Sequence, residues 1–241
     1  MKKTTQNDFI YGELGRTSFQ VKRYYNIIKY WTKILTSNDN KYITKVYKMM
    51  KHEAEENQCV NWCAMLRNLL GNLGFNYVWI SQTLGNKKLF LAVVKQRLCD
   101  QFVQNWEGRL NDSSRATFYR QISNFEFQPY LHKINMMKFC QSLSKLRVSS
   151  HRLAVETGRW NKPVQIPFNE RKCRICSVLD DEFHFVLECK QFEELRKKYI
   201  PRYYWIRPNM SKFVDLMKNT AENTIRNVSM FVYHAFQIKV E

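Results

Sequence analysis

The chain has 241 residues, 44% of them hydrophobic and 15% aromatic, which is enough apolar material for a core and excludes general disorder. Lys and Arg number 39 against 21 for Asp and Glu, and the resulting charge of +18 favours nucleic acid as a partner over a membrane surface. The first residues, MKKTTQND, contain no apolar segment of the kind that a secretory signal needs. We therefore expect an intracellular protein, nuclear or cytoplasmic, with reduced cysteines and no membrane contact.

The first predicted helix covers residues 18–36, and Ser18 is a suitable cap for it. The apolar residues that recur at spacings of three and four, and so predict a buried face, are Val21, Tyr24, Ile28, Trp31 and Leu35. The opposite face gathers Lys22, Asn26, Lys29 and Lys33. Such a face is usually only solvated, and the alternative is that it meets phosphates.

Further helices are predicted over about 40–55, 60–71, 87–110, 113–122 and 136–147, whereas Phe75 to Ile80 is too short to assign. The longest helix is predicted from apolar residues at every fourth position, namely Phe90, Val94, Leu98, Phe102, Trp106 and Leu110. No alternating run is long enough for more than a small hairpin near 163–176. The sequence therefore predicts an all-α fold, in which a multi-helix bundle is followed by a small metal module and C-terminal helices.

The metal module is predicted from the segment KCRICSVLDDEFHFVLECK, which places four soft ligands within 17 residues. These ligands are Cys173, Cys176, His184 and Cys189. A tight turn can present the first two thiolates to one ion, and a helix from about Asp181 to Glu188 returns the other two ligands to it. Four protein ligands of this softness suit tetrahedral Zn²⁺ and leave no open position, so we expect one structural zinc ion. The alternative is chance thiols and a surface histidine.

The other cysteines and the familiar catalytic motifs give no second site. Cys99 and Cys140 are expected to pack in the core, and Cys59 and Cys63 lack a second ligand pair nearby. A zinc deaminase needs Glu two positions after its histidine, where this chain has Val186. A P-loop, a dinucleotide-binding glycine pattern and a His-Glu-x-x-His motif are absent from the sequence, and we expect no catalytic residues.

Positive charge is concentrated just before the metal module. Residues 133–174 contain ten cations and two carboxylates, a net charge of +8, which predicts a phosphate-binding surface. The predicted nucleic-acid contacts are Lys145, Arg147, Ser149, Ser150, His151, Arg152, Arg159, Lys162, Arg171, Lys172 and Arg174. Nearby rings that either stack on unpaired bases or pack beneath the module are Trp160, Tyr203, Tyr204 and Trp205.

Several of these stretches resemble the C-terminal region of the polyprotein of LINE-type non-LTR retrotransposons. The matching stretches are YGELGR from Tyr11, KYW from Lys29, SSHRLAVETGRW from Ser149, HFVLEC from His184 and ELRKKYIP from Glu194. The resemblance implies a thumb-like helical region and linker over 1–132, a basic linker segment over 133–170, and a zinc module with C-terminal helices over 171–241. It also implies contact with template RNA and target DNA, and with the upstream reverse transcriptase domain where the chain is a fragment.

The chain departs from that family where catalysis is concerned. The metal-binding carboxylates of a polymerase palm are missing, because the only Asp-Asp pair, Asp180 and Asp181, lies inside the metal module. An endonuclease domain is missing as well. We therefore expect a non-catalytic, zinc-stabilised module that binds RNA or DNA through a basic surface. The alternative is a zinc-stabilised protein-interaction module that does not bind nucleic acid.

Overall fold

The computed structural model describes residues 6–37, 41–56 and 59–239. Within these ranges the fold is helical, as predicted, and the only β pairing is an isolated antiparallel bridge between Lys172 and Leu179. This bridge is all that forms of the small hairpin expected near 163–176. No helix in the described ranges combines the length and apolar character needed to cross a membrane.

The α-helices vary from one turn to more than seven. In chain order they are α1 Asn7–Leu14, α2 Phe19–Leu35, α3 Tyr42–Glu56, α4 Trp62–Asn72, α5 Asn76–Ser81, α6 Lys87–Asp112, α7 Tyr119–Ile122, α8 Tyr130–Lys133, α9 Met137–Arg147, α10 Ala154–Thr157, α11 Glu193–Tyr199, α12 Arg202–Trp205, α13 Met210–Lys218 and α14 Glu222–Ile238. Short 3-10 helices cover Ser114–Ala116, Phe168–Glu170 and Lys190–Phe192, and a π-helical turn covers His184–Glu188. The segment predicted as one helix over 113–122 is therefore a 3-10 turn followed by α7. Residue 40, the predicted start of α3, lies outside the described ranges.

The chain divides into two compact units. One is Thr17–Glu107, and the other is discontinuous and combines Met1–Arg16 with Gly108–Glu241. The boundary at 107 falls inside α6, whereas the boundaries predicted at 132 and 170 both fall inside the discontinuous unit. The metal module lies in the same unit as α9 and the C-terminal helices.

The 17–107 unit is built on the predicted buried face of α2. Ile28 and Trp31 are fully buried, and the ring of Trp31 stacks on that of Trp79 with centroids 6.2 Å apart. Trp31 Nε1 donates to the hydroxyl of Tyr47 at 2.9 Å, so this indole N–H has a partner inside the core. The Asn61 side chain caps α4 by accepting from two backbone N–H groups.

In the discontinuous unit, α14 packs against α8, α9 and α11. Helix α1 joins this core through Phe9, whose ring meets that of Tyr119 edge-on with centroids 4.8 Å apart. Gly15 ends α1 with φ of 57°, and a side chain there would clash with the backbone of Phe127. Residues far apart in sequence therefore meet in the core of this unit.

Candidate metal centre

The first two ligands lie on a tight turn. The N–H of Cys173 donates to the carbonyl of Val178 at 2.7 Å, and the N–H of Ser177 donates to the carbonyl of Cys173 at 2.8 Å. Ser177 takes the left-handed conformation, with φ of 57°, to close the turn. The bridge between Lys172 and Leu179 holds its base. The sequence therefore presents both thiols from one short loop, as the spacing predicts.

The other two ligands are brought together by a π-helical turn. Asp181 Oδ1 accepts from the N–H of His184 at 2.8 Å, and the N–H of Cys189 donates to the carbonyl of His184 at 2.8 Å. In a regular α-helix, residues five apart lie about 140° apart around the axis. The wider turn corrects this mismatch, which is why the segment predicted as α-helical over 181–188 is π-helical over His184–Glu188.

The four predicted ligand atoms converge within 4.8 Å of one another. The sulfur of Cys189 lies 3.9 Å from that of Cys173 and 4.0 Å from that of Cys176. These separations are too long for a disulfide and match the edge of about 3.8 Å of a tetrahedron with metal–sulfur bonds of 2.3 Å. The four side chains could hold one metal ion, and they are the only such group among the described residues.

The imidazole of His184 supports this assignment. Both ring nitrogens are buried and have no hydrogen-bond partner, because the nearest carboxylate oxygen, on Glu188, is 3.6 Å from Nδ1. An unpaired buried polar atom is costly unless something else satisfies it, and a metal ion would do so.

Comparisons with protein-family models, with curated proteins and with solved structures found no match to this chain.

Burial sets the electrostatics of the centre. It raises the pKa of the Cys189 thiol to about 12, and it lowers the pKa of His184. Neutral imidazole is the ligand form of histidine, whereas a thiol must lose its proton to bind. Arg196 is 5% exposed and donates to the carbonyls of Val186 and Cys189, both at 2.8 Å. Its positive charge therefore lies near the thiols of Cys176 and Cys189.

Arg147, a predicted phosphate contact, is buried instead. Its guanidinium donates to both carboxylate oxygens of Glu13, at 2.9 and 3.0 Å, and to the carbonyl of Met217 at 2.8 Å. The Arg147 side chain is 2% exposed. The prediction that it contacts nucleic acid is therefore wrong, because its donors are used inside the unit.

Ser149, Ser150 and His151 are also buried, and Ser149 and His151 support the metal module from within. Ser149 Oγ and His151 Nε2 both contact Glu182 Oε1, at 3.0 and 2.8 Å. His151 Nδ1 accepts from the N–H of Leu153, so Nε2 carries the proton and donates it to Glu182. The serine and the histidine therefore share a carboxylate and do not form a nucleophile with its base. The predicted phosphate contacts of Ser149 and His151 are therefore corrected to structural roles, whereas Ser150 is buried at the wall of a cleft that Lys145 and Arg152 also line.

Two further predicted cations are engaged internally. Arg171 is 7% exposed and donates to the carbonyls of Val155 and Ile166. Arg159 is half-buried, lies 3.2 Å from the carboxylate of Glu156 and donates to Ser114. Arg171 is unavailable to phosphate, and most of the charge of Arg159 is already paired.

The remaining predicted cations are exposed, and most of them line connected clefts. Exposed members of the set are Lys145, Arg152, Lys162, Lys172 and Arg174. Arg152, Lys172 and Arg174 line a cleft of about 730 Å³ beside Cys173. Lys145 and Arg152 line an adjoining cleft of about 320 Å³, and Lys239 belongs to both. We call this combined surface the basic cleft.

Lys239 is the cleft residue that sequence reasoning missed. Its ammonium lies 2.9 Å from Asp180, which also accepts from the N–H of Ala154 at 2.7 Å. No local pattern marks a lysine that reaches the module from the far end of α14. Among the nearby rings, Trp160 and Tyr203 are exposed, Tyr204 is buried and Trp205 is half-buried.

Proposed function

We propose that this chain is a non-catalytic nucleic-acid-binding module in which one structural Zn²⁺ ion shapes a basic cleft for the backbone of RNA or DNA. The observation that carries the proposal is the position of Lys172 and Arg174. They flank Cys173 on the metal-binding turn and line the cleft together with Lys145 and Arg152. Phosphate contacts of this kind supply affinity without reading sequence.

Zinc is the metal that this ligand set fits best. Three thiols and one imidazole form a soft donor set, and sulfur separations near 4 Å suit tetrahedral coordination. All four positions are filled by protein, so the ion would crosslink the turn and the π-helical turn and would activate no water. Such thiolates persist in reducing compartments, which fits an intracellular protein.

The acidic residues of the module support a non-catalytic role. A polymerase or nuclease of the two-metal type needs converging carboxylates with open coordination positions. Asp180 forms an ion pair with Lys239 and accepts a hydrogen bond from the N–H of Ala154. Asp181 accepts one from the N–H of His184. Both carboxylates are therefore engaged in contacts that stabilise the fold.

Descent from a LINE-type retrotransposon polyprotein is part of the proposal and rests on the sequence stretches that resemble that family. Ser149 and His151, both in the stretch that begins at Ser149, support the metal module because their buried side chains contact Glu182. Where the chain is a fragment of such a polyprotein, an upstream reverse transcriptase domain would be a further partner.

A second candidate function is protein interaction, and exposed apolar side chains near the metal turn favour it. Val164 is 73% exposed, Phe168 54%, Ile175 50% and Val178 47%. The affinity of a contact through these side chains would depend weakly on salt. For phosphate binding to duplex DNA, in contrast, the logarithm of the binding constant falls with the logarithm of the salt concentration, with a slope near 0.9 per neutralised phosphate. Salt dependence therefore separates the two functions.

The test compares two charge-matched triple variants. Lys145→Gln/Lys172→Gln/Arg174→Gln removes cleft cations, and Lys198→Gln/Lys218→Gln/Arg226→Gln removes three exposed cations elsewhere in the same unit. Arg152 is left in place because its side chain has a partner within the chain. We expect the cleft variant to bind a short duplex more weakly and to lose roughly two to three units of salt slope. Equal binding by the two variants would refute the cleft.

A further inference from the structure

A second basic surface lies on the 17–107 unit, on the exposed face of α2. A groove of about 750 Å³ runs along this face, and all of its lining residues belong to this one unit. The lining residues are Phe19, Gln20, Lys22, Arg23, Asn26, Ile27, Tyr30 and, from α4, Trp62. We call it the α2 groove.

The charge of α2 has one sign. Its 17 residues include Lys22, Arg23, Lys29 and Lys33 and not one carboxylate. All four cations are exposed. A solvated helix face usually mixes charges at spacings of three and four, because such pairs stabilise the helix. A face of cations alone gives up that stabilisation and suits a polyanion.

Two aromatic rings are exposed between and beside these cations. Phe19 is 88% exposed and Tyr30 is 49% exposed, and both line the groove. They lie on one helical stripe with Arg23 and Asn26, at spacings of four, three and four, over about 16 Å. Trp62 packs against Tyr30 in a T-shaped arrangement with ring centroids 6.2 Å apart, and half of the Tyr30 side chain stays exposed beside it.

We propose that the α2 groove binds single-stranded nucleic acid, with bases stacking on Phe19 and Tyr30 and phosphates meeting Lys22 and Arg23. Alternation of rings and cations is the general recognition mode for unpaired strands, since every base has a face to stack. A duplex has its base faces covered and would gain only from the cations. The inference extends the proposed function to a different surface and does not depend on the basic cleft.

The experiment uses the full chain carrying Lys145→Gln/Lys172→Gln/Arg174→Gln, so that residual binding reports on the α2 groove. The probes are an oligothymidylate of about ten nucleotides, an abasic strand of the same length and a duplex. Phe19→Ala and Tyr30→Ala are each introduced, with Tyr77→Ala as the control, since Tyr77 is a 65% exposed ring on α5 outside the groove.

We expect each groove variant to bind the oligothymidylate roughly 5- to 150-fold more weakly. The same variants should bind the abasic strand and the duplex as the parent does, and Tyr77→Ala should change nothing. Thermal unfolding of each variant verifies that the 17–107 unit is intact; these are exposed side chains, and we expect unchanged midpoints. Lys22→Gln/Arg23→Gln should weaken all three probes alike.

Equal oligothymidylate binding by Phe19→Ala, Tyr30→Ala and the parent would overturn the inference. A parent that prefers the duplex, or that binds the abasic strand as tightly as the oligothymidylate, would overturn it as well. These results leave the proposed function intact, because the cleft is tested by its own triple variant. If the triple cleft variant binds nucleic acid normally while Phe19→Ala and Tyr30→Ala bind it much more weakly, we would assign nucleic-acid binding to the α2 groove alone.

Discussion

The ion pair between Glu13 and Arg147 links α1 to the rest of the discontinuous unit. The two side chains are 1% and 2% exposed, so both charges have left water, which is costly unless their hydrogen bonds are satisfied. Arg147 meets this condition with four donor contacts, which reach Glu13, Gln128 and the carbonyl of Met217. Tyr130 also donates to Glu13, at 2.6 Å. The network joins five residues, namely Glu13, Gln128, Tyr130, Arg147 and Met217.

We predict that Glu13→Gln destabilises the discontinuous unit by about 3 to 5 kcal/mol, because it leaves the Arg147 charge buried and unpaired. Urea unfolding monitored by circular dichroism measures the change. The matched control is Asp8→Asn, which breaks the pair with Arg109, whose side chain is 47% exposed. That exposed pair contributes about 1 kcal/mol or less. Equal effects of the two substitutions would show that the buried pair has no special role.

At the scale of single residues, the sequence predicts which side chains share a site better than it predicts which side chains are exposed. The four predicted ligands converge as a group that could hold one metal ion, and the sequence predicts this because they lie within 17 residues at a spacing that suits one site. Arg147 was assigned wrongly because its partner, Glu13, is 134 positions away and no local pattern announces it. The same reason applies to His151, whose carboxylate partner lies 31 positions further on.

At the scale of elements, the periodic helices were predicted well and the irregular turns were not. Helix α2 begins and ends within a residue of its predicted bounds because its apolar stripe is regular. The π-helical turn His184–Glu188 was not foreseen, since it depends on Arg196 and Asp181 holding the backbone and not on side-chain periodicity. Arg196 is thus a positioning residue for the metal centre.

Metal removal should unfold this local region and spare the 17–107 unit. Binding of a structural zinc ion is worth on the order of 10 kcal/mol in small modules, and the ion would directly link the cysteine turn to the π-helical turn. Hydrogen exchange with and without a chelator measures this. We expect amides such as Cys173 and Cys189 to lose protection while those of α4 keep it. Unchanged protection at both cysteines would mean that the metal does not shape the module.

At the scale of the whole molecule, the spacing of apolar residues predicted the helical class and composition predicted the basic character, but neither predicted the division into units. The unit boundary falls between Glu107 and Gly108, inside α6, which is a continuous helix of 26 residues, so no proline or loop marks it. Residues Met1–Arg16 join the discontinuous unit through Phe9 and Glu13, which only tertiary packing reveals.

We predict that the chain alone, given a primed RNA template, nucleotides and Mg²⁺ or Mn²⁺, synthesises no DNA. Phosphoryl transfer by a polymerase needs two metal ions held by converging carboxylates, and Asp180 and Asp181 are engaged in the fold. A primer-extension assay measures this, with an active reverse transcriptase as the positive control. Extension that disappears in Asp180→Asn/Asp181→Asn while metal content is unchanged would contradict the prediction.

Metal analysis of the purified chain tests the central claim most directly, because the proposed function requires one bound ion that joins the cysteine turn to the π-helical turn beside the cleft. Mass-spectrometric elemental analysis should find one equivalent of zinc per chain, lost in Cys176→Ala and in His184→Ala. It should be retained in the control Cys59→Ala, which alters an exposed cysteine outside the centre. A folded chain that contains no metal and has four freely reactive side chains at the centre would contradict the account.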